Sequence, residues 1–206
     1  MKIDKLFEHL LNEVSQDYSQ LTTEEISNKG LKDPNFDFKK GFDALIEKDR
    51  TGHWIYLAGK HWKTFDYKKG LDALIEIDEI CEYIYYAGLD WKTFDFNKGL
   101  DALKTKDKTG QWVYDAGRYW KEFDFKKGLD ALITIDKDGE FIYYSGKDWD
   151  SFDFNKGFKA LEKTSDKIWF KKAKKKWPKS YPEKLKDVKD KYDENHIPGK
   201  RKKLKR

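Results

Sequence analysis

From Phe36 to Trp177 the apolar positions fall into two alternating patterns separated by short polar turns. In FKKGFDALIEK, residues 38–48, Phe38, Gly41, Phe42, Leu45 and Ile46 share one arc of a helix, and Lys39, Lys40, Asp43 and Glu47 share the other. Asp37 stands before this stretch as a helix N-cap. The second pattern is GHWIYLAGKHWKT, residues 52–64. Trp54, Ile55, Ala58, Gly59 and Trp62 fall on one arc, which predicts a second helix packed against the first. Its counterpart DKDGEFIYYSG, residues 136–146, also fits a β-hairpin with an Asp-Gly turn. Helical spacing from Ile55, Ile84, Val113 and Ile142 to Trp62, Trp91, Trp120 and Trp149, and the lack of strict alternation, favour the helix.

Both patterns repeat head to tail. The glycine of the KKG or NKG triplet recurs at Gly41, Gly70, Gly99, Gly128 and Gly157, a constant step of 29 residues, and a fixed period of this size marks a repeat array. Glycine inside a helix costs about 1 kcal/mol, so its recurrence points to a close helix–helix approach. The pair Ala58-Gly59 recurs as Ala87-Gly88, Ala116-Gly117 and Ser145-Gly146, as a close crossing with the first helix would require. One hairpin cannot bury its aromatic face alone, whereas stacked hairpins can. The expectation is an all-α fold, an α-solenoid of about five 29-residue helical hairpins. In this respect the chain resembles helical-hairpin repeat proteins of the tetratricopeptide and HEAT kind over residues 36–177, with a shorter period than either. The resemblance implies a binding scaffold.

The flanks differ from the array. In residues 1–20, Ile3, Leu6, Phe7, Leu10, Leu11 and Val14 follow helical spacing and predict an N-terminal capping helix. Residues 21–35 read as a polar connection with Gly30 and Pro34 as breakers, so 1–35 form a cap and linker, 36–177 the array and 178–206 a tail. The fifth unit keeps Ala173 and Trp177 in their columns once one turn residue is deleted. It carries Lys171 where the others have tyrosine and Lys174 where they have glycine, the polar face expected of a capping unit. Beyond Pro178 and Pro182 the tail is too charged and too poor in apolar residues to fold alone.

Composition changes the picture in two ways. The chain is 39% charged but 17% aromatic, so its core is built from Phe, Tyr and Trp. Its net charge of +5 is segregated: residues 163–206 hold 18 Lys/Arg against 6 Asp/Glu, a balance of +12, and residues 1–162 carry −7. The lone cysteine, Cys81, sits at the turn position of Gly52, Gly110 and Gly139 and can form no intramolecular disulfide. With no long apolar run there is neither a transmembrane helix nor a signal sequence to expect, and the expected location is intracellular.

Candidate chemistry is sparse. His9, His53, His61 and His196 are scattered without metal-ligand spacing, and no phosphate-binding glycine loop or nucleophile elbow is present. No cofactor and no enzymatic activity are expected. Asp37, Asp66, Asp95, Asp124 and Asp153 read as helix caps, and Asp43, Asp72, Asp101 and Asp130 as solvated faces that neutralise Lys40, Lys69, Lys98, Lys127 and Lys156. The better candidates are positions that vary between units. On the second helices these read Leu57, Lys60 and His61, then Tyr86, Leu89 and Asp90, then Asp115, Arg118 and Tyr119, then Tyr144, Lys147 and Asp148. Exposed Tyr and Arg on such a ridge are the residues of protein-binding hot spots. A protein partner on Leu57, Tyr86, Leu89, Asp115, Arg118, Tyr119, Tyr144 and Lys147 is the main expectation.

Two alternatives stay open. Lys171, Lys172, Lys174, Lys175, Lys176, Lys200, Arg201, Lys202 and Lys203, with Trp169, Trp177 and Tyr181 nearby, could bind nucleic acid. If 136–146 were a hairpin, an aromatic-rich carbohydrate-binding repeat would be the reading. The opening MKIDKLFEHLLNE is similar to the short amphipathic N-termini of many tailed-phage proteins, and Leu11-Asn12-Glu13 to the L-x-E pattern cut by phage head proteases. That resemblance implies a virion-associated protein packaged with DNA.

Overall fold

The computed structural model describes residues 17–177, and these form eleven α-helices without a strand among them. The helix following each N-cap aspartate is α2 (Phe38–Lys48), α4 (Tyr67–Ile77), α6 (Phe96–Lys106), α8 (Phe125–Ile135) and α10 (Phe154–Lys163). The second pattern gives α3 (His53–His61), α5 (Glu82–Asp90), α7 (Gln111–Tyr119), α9 (Glu140–Asp148) and α11 (Ile168–Lys176). The β-hairpin alternative is therefore excluded for 136–146: Asp138-Gly139 turns the chain into α9 rather than between two strands.

Sequence chemistry explains each helix start. Asp37, Asp66, Asp95, Asp124 and Asp153 accept hydrogen bonds from the backbone N–H of Lys40, Lys69, Lys98, Lys127 and Lys156, satisfying orphan donors of the first turn. The second helices start differently. In three of the five the N-cap residue, Gly52, Gly110 or Gly139, has φ between +83° and +94°; α5 has Cys81 at φ +68° and α11 has Lys167 at φ −90°, and none of these makes a side-chain cap bond. For α3, α5, α7 and α9 the cap comes from a buried aspartate in the preceding turn. Asp49 Oδ1 accepts from the N–H of Thr51 and Gly52, and its Oδ2 from Trp54 and Ile55. Asp78, Asp107 and Asp136 repeat the arrangement. Burial pushes the Asp78 and Asp136 carboxyls above the usual range, against the opposing pull of those backbone N–H groups.

An additional helix precedes the array. Residues read from sequence as a polar connection form α1 (Thr23–Lys32), opened by a capping box between Thr22 and Glu25. Its Ile26 is fully buried, and Gly30 receives an indole ring instead of breaking the chain. The sequence is too polar to reveal this, because α1 buries little beyond Ile26, Ser27 and Gly30. The expected capping helix over 1–20 falls mostly outside the described residues. Of its end, 17–20 form a turn in which Tyr18 is buried, and the Tyr18 hydroxyl accepts the N–H of Asp37.

The helices pack in sequence. α1, α3, α5, α7, α9 and α11 each touch the next in this row, α4, α6, α8 and α10 touch in theirs, and every helix also packs on its chain neighbour. Leu45, Leu74, Leu103, Leu132 and Leu161 from one row meet Ile55, Ile84, Val113 and Ile142 from the other in a fully buried core.

The recurring glycines are explained by rings. A Cβ on Gly70 would lie 2.6 Å from Phe65, so this glycine admits its own unit's leading phenylalanine rather than another helix backbone, as do Gly41, Gly99, Gly128 and Gly157. Gly59 admits Trp91, which ends the following second helix as its extended C-cap. The same ring meets Phe65 edge-on at 5.2 Å. Its indole N–H donates to the Tyr56 carbonyl at 3.1 Å, and Trp62, Trp120, Trp149 and Trp177 do the same to Ser27, Tyr85, Tyr114 and Tyr143.

Candidate functional site

The anchored row of second helices displays the residues that vary. Leu57, Tyr86, Asp115 and Tyr144 are half-buried along it. Leu89 is 40% and Tyr119 53% exposed, and Arg118 and Lys147 are exposed beside them. Leu89, Arg118, Tyr119 and Lys147 face solvent on α5, α7 and α9, Leu57, Tyr86 and Tyr144 pack at the edge of the core, and the opposite side of these helices holds the buried Ile or Val, Tyr, and Ala or Ser positions.

Beneath this ridge runs an aromatic layer that spacing alone did not assign to it. Trp54, Tyr83, Trp112, Phe141 and Trp169 occupy equivalent places and are half-buried, not enclosed in the core as the helical arc suggested. Each of the last four packs on the buried tyrosine of the preceding second helix: Tyr83 on Tyr56, Trp112 on Tyr85, Phe141 on Tyr114 and Trp169 on Tyr143. The signal was in the sequence, since this column is aromatic in every unit.

Polar contacts fix the ridge locally. The Tyr56 hydroxyl donates to Asp90, which also receives Lys60 Nζ at 2.8 Å. The Tyr114 hydroxyl donates to Asp148 at 2.6 Å. Burial alone would raise the Asp90 carboxyl, but hydrogen bonds from Lys60 and Tyr56 hold it below the usual range. Burial, reinforced by the carboxylate each phenol faces, pushes Tyr56 and Tyr114 up, and burial with the nearby Asp115 carries Tyr85 to about 12. Arg118 lies 4.6 Å over the Tyr119 ring and 5.4 Å over Tyr114, a geometry that orders a guanidinium on the surface.

The lysines of the last helix divide. Lys172, Lys175 and Lys176 stand in the same columns as Tyr144, Lys147 and Asp148, so the ridge ends in lysine. With Tyr143, Tyr144 and Lys147 they line an open cleft of about 370 Å³. Lys171 and Lys174 do not line it, and Lys174 lies 4.4 Å over Phe170. Lys200, Arg201, Lys202 and Lys203 fall outside the described residues. On the other row, Lys69, Lys98 and Lys156 pair with Asp43, Asp72 and Asp130 of the preceding unit, and Lys127 donates to Asn97 at 3.3 Å. These four lysines are engaged between helices, and Lys40 lies 3.9 Å from its own N-cap, Asp37.

No protein-family model matches this chain, and no similar curated protein or solved structure was found. Among the described residues no helix is long and apolar enough to cross a membrane.

Proposed function

We propose that this chain is a non-enzymatic binding scaffold, an α-solenoid of about five helical hairpins that takes a protein partner along its second helices. The observation that carries the reading is a contrast between two sets of positions. The indole-to-carbonyl bonds recur at 3.0–3.3 Å from unit to unit, so each second helix is held on the next in one way. The side chains displayed above these bonds, from Leu57 to Lys147, change in combination from unit to unit, with tyrosine shared at equivalent positions only by Tyr86 and Tyr144 and lysine only by Lys60 and Lys147. An anchored backbone with an independent surface suits a row of hot-spot residues, among which Tyr and Arg are enriched. The hairpin on which a carbohydrate-binding reading rested is helix α9.

The test is affinity capture by the immobilised full chain from host extract with and without nuclease treatment, alongside a Leu89→Ala/Tyr119→Ala variant at two exposed positions. A discrete protein should be retained by the parent and lost from the variant, with both chains melting alike. Equal capture by the two, or capture that vanishes with nuclease, would refute the reading.

A further inference from the structure

The basic end of the ridge supports a second site, which shares Tyr144 and Lys147 with the protein-binding row and draws its other cations from the last helix. We infer that the cleft between α9 and α11 binds the phosphate backbone of single-stranded nucleic acid, with the half-buried Tyr144 ring on its wall as the platform for a base. Lys147 comes from α9 and Lys172, Lys175 and Lys176 from α11, so four ammonium groups border one cleft. Among the described residues no carboxylate pairs with Lys172, Lys175 or Lys176. Lys147 lies 3.8 Å from one oxygen of Asp148, whose other oxygen is already engaged by Tyr114.

A bland account exists for part of this cluster: lysines in the last turn of a helix complement its dipole. It covers Lys174, Lys175 and Lys176. It does not cover Lys172, a turn earlier, or Lys147 on the neighbouring helix. Gathering these cations costs mutual repulsion that a bound polyanion relieves.

The rings distinguish a nucleic acid from an acidic peptide. Tyr144 lines the cleft half-buried, and Trp169 packs behind it with centroids 5.3 Å apart, Lys172 Nζ lying 3.7 Å over the Trp169 ring. A positively charged groove with aromatic platforms is the composition that binds single strands without sequence preference. An acidic peptide would use only the lysines. The charge also continues along the chain, since residues 178–206 carry eleven Lys/Arg against five Asp/Glu.

The experiment measures binding of a labelled oligothymidylate to the full-length chain by fluorescence anisotropy over a range of salt. Lys147→Glu/Lys172→Glu is compared with Lys171→Glu/Lys174→Glu, which makes the same charge change away from the cleft. The first pair should weaken binding about tenfold or more at low salt and flatten the log–log salt slope by about 1.4, about 0.7 for each phosphate no longer neutralised. The second pair should stay within about twofold of the parent. Circular dichroism checks folding, and should the first pair misfold, Lys175→Gln/Lys176→Gln reads the same cleft. Equal weakening by both pairs, no binding at all, or a polyglutamate peptide bound as tightly with the same dependence on Lys147 and Lys172 would each overturn the assignment.

Discussion

The indole N–H of Trp120 donates to the main-chain carbonyl of Tyr85, 35 residues upstream, at 3.0 Å, and its ring lies against Gly88. One residue thereby joins two consecutive units through a directional bond and a ring contact. A buried indole must find an acceptor, and the helix backbone can supply one only where no Cβ holds the ring away. Trp and Gly form one joint although they lie in different units.

Gly88→Ala tests that joint. Alanine should gain about 1 kcal/mol from helix propensity, but its Cβ would sit 2.4 Å from the indole nitrogen. A rigid bicyclic ring held from several sides cannot yield cheaply, so overpacking outweighs propensity and the chain should lose about 2 kcal/mol net in urea unfolding. A stabilised variant would show that the ring is free to move.

Asp107→Ala should cost about 2–4 kcal/mol by the same measurement, because it strands buried donors. Asp107 accepts the N–H groups of Thr109, Gly110, Trp112 and Val113 at 2.9–3.2 Å. Asp101→Ala, on an exposed face, should change stability by less than about 0.5 kcal/mol and serves as control.

These two aspartates show what the sequence could and could not reveal. Periodicity located the helices of the array and the N-cap row from Asp37 to Asp153, since local spacing carries both. The Asp49, Asp78, Asp107 and Asp136 column has the same period, yet a polar residue in a turn looks solvent-facing until the helix it caps folds back over it. The glycines announced close approach but not what approaches, because Phe65 and Trp91 reach them through tertiary packing. α1 was missed because its partner, Trp62, lies far along the chain. The varying ridge was legible because it departs from repetition. The joining of Lys147 to Lys172, Lys175 and Lys176 was not, because α9 and α11 become neighbours only when stacked.

Alkali should destabilise the fold in a defined window. Tyr56, Tyr85 and Tyr114 all ionise above the ordinary phenol value of 10.0 when folded. Their contribution is fully present below pH 10 and is lost as pH rises through the folded values, because the unfolded chain releases these protons first. The melting temperature should fall above pH 10, with phenolate absorbance for these residues appearing together with unfolding. Ordinary titration near pH 10 without loss of structure would contradict their burial.

Cys81 should behave as a reporter of unfolding. It is fully buried at φ +68°, and burial, with Asp78 and Asp107 nearby, pushes its thiol up to about 12. Iodoacetamide at neutral pH should leave it unmodified until denaturant opens the chain. Rapid alkylation of the folded protein would place it at the surface.

The proposed linear array is tested most directly by removing residues 94–122, one whole period, which joins Thr93 to Phe123 and presents Gly88 to Trp149. Urea unfolding of this shortened chain, followed by helical circular dichroism, should remain a single cooperative transition, with an m-value lower by about a fifth in proportion to the surface removed. A shortened chain with no helical signal or no cooperative transition would mean that the units do not stack interchangeably, and would contradict the account.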